Sequence, residues 1–373
     1  MITKTLEQGV KRLGLRLLSV AAPKARPRPT PSDLEHVARI LVVKPDERIG
    51  NAVLVTPLLV ALKGKFSRAR LVLLMGRRFW DLHEHLPSAD EFIPFEKARL
   101  ARNPLGFLAL VRRLRSRRFD LVFDAAGDHE VSFTHLALTA LSGAKFRVGH
   151  DRGDAGLFYE VPVAIPVGPR HAAEMHLDLL RAVTPIRSHP RPLLRPRPDT
   201  GFAARFIAEH GWDPALPFIV IHPGARGRKQ WPPAQFVRVI ELLKSRLDAN
   251  LALVWGPADT GAAIAIRDQT DIAAAGVLPL ADFLSLVRRS TVFVSGDCGP
   301  MHLAAAAGAR VVAIFLASDP EKYRPLGLED ITLDGRATPP DPGTVADAVI
   351  TIASSSRRLR QGELPLAGAG TAT

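Results

Sequence analysis

Thr291-Val292-Phe293-Val294-Ser295-Gly296-Asp297-Cys298-Gly299-Pro300-Met301-His302 carries the pattern that decides the fold. Its first five residues are apolar or small, as a strand buried on both faces requires. A Gly-Asp-Cys-Gly turn follows, and Pro300 or Met301 opens a helix that continues to Ala307. A strand running through a small polar turn into a helix is half of a βαβ unit, and such units build parallel sheets. Backbone N–H groups at that helix N-terminus favour an anion such as pyrophosphate. Asp297 serves equally well as a helix cap, so the turn alone leaves a ligand reading and a structural reading open.

Outward from this stretch the same rhythm recurs. Phe218–His222, Leu251–Trp255 and Arg310–Phe315 read as strands, and Pro233–Leu247 and Ala281–Arg289 as helices, giving an α/β domain over 218–354. Toward the N-terminus, Ala38–Val43, Leu71–Met75, Phe119–Asp124 and Lys145–Gly149 read as strands of a second domain over 38–185. A loop at Lys44–Gly50, a helix from Asn51 to Phe66 and a basic helix over Leu108–Arg117 belong to it. Pro190, Pro192, Pro196 and Pro198, mixed with arginines, read as an extended interdomain connection over 186–217. A chain of 373 residues exceeds the usual size of one core. The expected architecture is α/β, with two doubly wound parallel-sheet (Rossmann-like) domains facing a central cleft and ligands outside the strand carboxyl ends.

The flanks differ. Leu6, Val10, Leu13 and Leu17 recur at helical spacing among basic residues in segment 1–37, a pattern that suits an ordinary packed helix or one lying on an anionic bilayer. Pro23, Pro27, Pro29 and Pro31 then read as an extended linker, and 355–373 as a disordered tail.

Composition narrows the partners. The net charge of +13 favours anionic ones. Only 6% of residues are aromatic, and no recognition-helix or RNA-binding signature accompanies the charge, which argues against nucleic acid. Cys298 is the single cysteine, which excludes an internal disulfide framework or a multi-cysteine zinc site and suits a cytoplasmic setting. No run of about 18 uncharged apolar residues occurs. No Gly-x-Gly-x-x-Gly follows a strand, so a nicotinamide-dependent enzyme is not expected.

Two more loops lie at strand carboxyl ends in the second half. His222-Pro223-Gly224-Ala225-Arg226-Gly227-Arg228-Lys229-Gln230-Trp231 combines glycines, which admit an anion close to the backbone, with three basic side chains; a solvated basic turn is the alternative. Trp255-Gly256-Pro257-Ala258-Asp259 offers a carboxylate for a ribose hydroxyl or for a helix N-cap.

His222-Pro-Gly-Ala with Lys229-Gln-Trp-Pro, followed by Gly296-Asp-Cys-Gly-Pro-Met-His-Leu-Ala-Ala-Ala, resembles glycosyltransferase family 9, the ADP-heptose:lipopolysaccharide heptosyltransferase family. Ile40–Leu59, Phe119–Asp124 and Arg147-Val148-Gly149 resemble its earlier segments, and the similarity spans about residues 38 to 350. The resemblance implies a GT-B fold, with the acceptor on the first domain and the nucleotide sugar on the second. It places Gly224, Ala225, Lys229, Asp259, Asp297, Cys298, Gly299 and His302 around the donor, with Lys229 on the diphosphate. It implies inverting transfer of heptose from ADP-heptose to an anionic glycolipid of the lipopolysaccharide type. No metal or other cofactor is expected, and the cytoplasmic face of the inner membrane is the implied location, with peripheral contact there.

Two departures stand out. Cys298 replaces a threonine, and Ile49-Gly50-Asn51 has an amide where the family has the aspartate proposed as base. An amide cannot take a proton, so Asp46 or Glu47 takes over, or the chain uses another mechanism, or it is a catalytically impaired sugar-nucleotide binder. Asp124-Ala125-Ala126-Gly127 also departs from the family's usual glutamine before the glycine.

Overall fold

The computed structural model describes residues 18, 27–127, 132–186 and 190–360. The chain forms two compact units, Met1–Pro196 and Arg197–Thr373. The amphipathic pattern at Leu6–Leu17, Pro23 of the linker and the end of the tail, 361–373, lie outside the described residues.

The N-terminal unit holds β1 (Arg39–Lys44), β2 (Arg70–Gly76), β3 (Glu91–Phe95), β4 (Leu121–Asp124), β5 (Phe146–His150) and β6 (Val161–Val163). They form one parallel sheet in the order β3-β2-β1-β4-β5-β6. The C-terminal unit holds β7 (Phe218–His222), β8 (Asn250–Val254), β9 (Ala273–Gly276), β10 (Val292–Gly296), β11 (Val311–Phe315) and β12 (Ile331–Asp334). Its parallel sheet runs β12-β11-β10-β7-β8-β9, the same order read from the other edge. Helices cover both sheets, so the central strands are apolar on both faces: Ile40 to Val43 and Ile219 to Ile221 are fully buried.

Chain order reverses between β1 and β4 in one unit and between β7 and β10 in the other. Loops leaving neighbouring strands at such a reversal turn to opposite faces and open a crevice at the strand carboxyl ends. Each unit therefore has its own crevice, and the registers Val43↔Asp124 and Ser295↔His222 mark where they lie.

Three expectations need correction. The helix expected over Asn51–Phe66 is two helices, Ile49–Leu54 and Thr56–Lys65. Pro57 has no N–H for the Val53 carbonyl, and the Thr56 hydroxyl donates to that carbonyl instead at 2.8 Å. The connection expected to be extended over 186–217 contains a helix, Phe202–Glu209. Phe206 and Ile207 are buried, Phe206 meets Trp212 edge-on, and the Ala203 N–H donates to Ser285 at 3.1 Å. The preceding stretch is strapped to the N-terminal unit by Leu193 N–H to Thr56 Oγ1 (3.1 Å) and Arg195 N–H to the His85 carbonyl (2.6 Å). Finally, the linker and tail each hold a helix: Pro31–Glu35, closed by a Thr30–Asp33 capping box, and Pro342–Arg360, which runs past Ser354.

Candidate functional site

In the C-terminal unit, the loops after β7, β8, β10 and β11 emerge at adjacent strand ends. The loop after β7 crosses close over β10: a Cβ on Gly296 would touch Ala225 at 3.4 Å. Gly224 sits tighter still, because a Cβ there would lie 2.3 Å from His222 Cε1 and 2.4 Å from Asp259 Oδ2. Only glycine lets the imidazole and the carboxylate close on the backbone together.

Lys229 and Asp297 form the charged centre, with Nζ to Oδ2 at 2.5 Å. Asp297 is buried and Lys229 about one-third exposed, so the carboxylate anchors an ammonium that still faces solvent. Ser318, from the loop after β11, donates to the same Oδ2, and the Tyr323 ring lies 6.0 Å from the ammonium. Nothing in the sequence pointed to Ser318 or Tyr323. The strand order does, since β11 neighbours β10.

Asp297 does not cap the following helix. That helix, Gly299–Ala306, takes Cys298 as its N-cap residue, without a side-chain capping bond. Pro300 removes one N–H from its first turn. Gly299 opens the helix with its N–H at the turn, and His302 is buried one turn in. Cys298 Sγ also lies 3.1 Å from Ser295 Oγ and 3.9 Å from His222 Nδ1.

Burial pushes the Cys298 thiol up to about 12, and burial lowers His222 to about 4. Both groups are therefore neutral at pH 7, and the pair is no thiolate–imidazolium nucleophile. His222 Nδ1 accepts the Gly224 N–H at 3.1 Å, which places its ring proton on Nε2. Asp259 occupies the N-cap position of the helix Thr260–Thr270 but makes no capping bond with its side chain. It is half-buried, and burial raises its carboxyl despite the Gly256 N–H and the charge of Arg226. All eight donor-loop residues read from the sequence thus sit on loops or first turns at one sheet edge.

The N-terminal crevice is built differently. Lys44 Nζ, from the end of β1, lies 3.0 Å from Asp46 Oδ2 and donates to the Ala125 carbonyl at 2.7 Å. His135, on the helix Phe133–Leu141, bridges two carboxylates, with Nδ1 3.0 Å from Asp124 Oδ1 and Nε2 3.7 Å from Asp46 Oδ2. The Tyr159 hydroxyl donates to Asp124 Oδ2 at 2.6 Å. A Cβ at position 149 would fall 2.3 Å from the Tyr159 ring, so the glycine of Arg147-Val148-Gly149 is what lets that ring reach Asp124.

Burial disfavours the ionised forms of Asp46 and Asp124. It is outweighed at Asp46 chiefly by the Lys44 charge and His135, and at Asp124 chiefly by His135 and Tyr159. Both carboxyls are held below the usual range. His135 is raised: burial opposes its charge, and its bonds to Asp124 and Asp46 overcome that. Of the candidate bases, then, Asp46 belongs to an ion-pair network, Glu47 is exposed on the loop, and Asn51 is half-buried in the helix Ile49–Leu54. The sequence reading missed His135 and Tyr159, whose roles depend on partners far along the chain.

The sequence profile of glycosyltransferase family 9 (heptosyltransferase) matches residues 107–343. The chain belongs to glycosyltransferase family 9. It is 24% identical over 288 residues to lipopolysaccharide heptosyltransferase 3 of Escherichia coli, covering 74% of this chain and 83% of that protein. Two solved structures share its fold. A family 9 glycosyl transferase from Veillonella parvula matches with a TM-score of 0.73 at 20% identity, over 87% of this chain and 99% of that one. The E. coli ADP-heptose lps heptosyltransferase II matches with a TM-score of 0.67 at 19% identity, over 85% and 99%. The two doubly wound units are those of the GT-B fold. Among the described residues, no group of three or more His, Cys, Asp or Glu is placed to hold a metal ion, and no helix is long and apolar enough to cross a membrane.

Proposed function

We propose that this glycosyltransferase moves heptose from ADP-heptose to a lipopolysaccharide or related cell-envelope glycolipid, with inversion at the anomeric carbon. The observation that carries the donor half is the Lys229–Asp297 pair beside the Gly299 helix N-terminus, bordered by the glycine-tight loops at Gly224 and Gly256. An ammonium about one-third exposed and fixed by a buried carboxylate, next to a helix N-terminus, suits a diphosphate whose charge grows as it leaves. Asp259, tucked against Gly224, suits a ribose hydroxyl.

In the transfer, an acceptor hydroxyl oxygen attacks the anomeric carbon as the bond from that carbon to the diphosphate oxygen breaks. ADP leaves with the bonding electrons, and Lys229 and the helix N–H groups take up its charge; this chemistry asks for no metal. The hydroxyl proton needs a base. A carboxylate paired with Lys44 and held below the usual range is a weak one, which disfavours Asp46. Glu47, exposed on the same loop, is the better candidate, with Asn51 hydrogen-bonding the acceptor.

Calorimetric titration with ADP-heptose tests the donor half: saturable binding is expected in the wild type and a marked weakening in Lys229→Ala. Transfer assays test the base. Glu47→Gln should lower kcat by about 10²–10⁴-fold with donor affinity unchanged, and Asp46→Asn should act mainly through stability. Binding without transfer would favour the impaired sugar-nucleotide binder that Asn51 also admits. Absence of binding to any nucleotide sugar would sink the proposal.

A further inference from the structure

Eight Lys or Arg and no Asp or Glu lie between residues 97 and 118. This stretch forms the helices Lys97–Arg102 and Pro104–Ser116, which pack on each other. The second helix has two apolar faces. Val111 and Leu114 are buried, and Phe107 and Leu110 pack against the core of the N-terminal unit. On the opposite side Leu105 and Leu108 are 76% and 44% exposed, with exposed Ala109 beside them. At 100° per residue Leu105, Leu108 and Arg112 share one stripe. Exposed Arg99 and Arg102 precede the leucines and exposed Arg112 follows them. An apolar tip flanked on both sides by cations is thus presented to solvent.

Two leucines and an alanine fall far short of the roughly 800 Å² per partner that a stable protein interface buries. A bilayer asks for less, because apolar insertion and phosphate attraction add together. We infer that the helices 97–116 dock the enzyme on an anionic lipid bilayer, Leu105 and Leu108 entering the headgroup region while the flanking basic side chains meet lipid phosphates. This deepens the proposed glycolipid acceptor by naming the surface that approaches its membrane.

The test is co-sedimentation of the full-length chain with vesicles of mixed phosphatidylglycerol and phosphatidylcholine, against phosphatidylcholine alone. Binding should require the anionic lipid and weaken with salt. Leu105→Glu/Leu108→Glu and Arg102→Ser/Arg112→Ser should each lower partitioning by about tenfold or more, with circular dichroism and ADP binding unchanged. Because the readout involves no transfer, its failure is separable from failure of the enzymatic proposal. Equal partitioning of variants and wild type would overturn the inference, whether residues 1–26 carry the binding or none occurs. Loss in the arginine variant alone, with the leucine variant binding normally, would also overturn it and indicate a site for a soluble polyanion.

Discussion

The two sheets share a strand order, yet their crevices solve opposite problems. In the N-terminal unit the charged groups at the strand ends satisfy one another: Lys44, Asp46, His135, Asp124 and Tyr159 form a connected, largely buried chain. In the C-terminal unit the backbone closes in through glycines, buried His222 and partly buried Cys298 stay neutral, and one ion pair faces solvent. The first arrangement makes a rigid, internally neutral floor. The second leaves a part-exposed ammonium beside a helix N-terminus, the arrangement that the proposed diphosphate site would need. Identical topology therefore sets where chemistry can occur, and side-chain pairing decides which crevice keeps its charges for itself.

The largest expected effect breaks the N-terminal network. Asp124→Ala leaves buried His135 and Tyr159 without their shared carboxylate partner and should cost about 3–5 kcal/mol, read as a fall in the urea midpoint. The pH dependence follows from the same groups. His135 is raised above 6.5, so its contribution is complete below that pH and fades as pH rises through the raised value. Asp46 and Asp124 are depressed below 3.8, so theirs is complete above that pH and is lost as pH falls further. Thermal scans of His135→Asn should accordingly lose the alkaline decline expected of the wild type. On the other side of the comparison, Lys229→Ala should lower kcat by about 10²–10³-fold in transfer assays and lower the urea midpoint less than Asp124→Ala does, because Asp297 keeps its Ser318 bond. Gly224→Ala overpacks the loop against His222 and Asp259 and should weaken ADP binding by about 1–3 kcal/mol in calorimetry.

Cys298 gives the smallest effect. Cys298→Thr should shift ADP affinity by about 1 kcal/mol or less. Alkylation of the wild-type thiol should be slow at neutral pH and climb about tenfold per pH unit toward its raised value, with ADP protecting it.

The sequence showed one crevice far better than the other. Gly224, Lys229, Asp297 and Gly299 lie on short loops directly after apolar strands, so local pattern alone placed them. The network of the other crevice joins residues from β1, β4 and elements up to Tyr159, and no local pattern reports such pairing. The same distinction holds for strands. The four missing from the sequence reading, β3, β6, β9 and β12, are the four sheet edges. Edge strands are partly exposed and lose the continuous apolar run, and two of them carry prolines, Pro94 and Pro162, which a sheet edge accommodates. The helix at Phe202–Glu209 was hidden by the proline- and arginine-rich residues before it, although Phe206 and Ile207 already supply its buried face.

The two hydrogen bonds that strap Leu193 and Arg195 onto Thr56 and His85 set an order of events during synthesis. Domains fold as units, and the N-terminal one emerges from the ribosome first. Its last bonds wait for a segment that ends just before the unit boundary at Pro196. The first half can thus complete its own bonds while the second sheet, whose first strand begins at Phe218, is still being assembled.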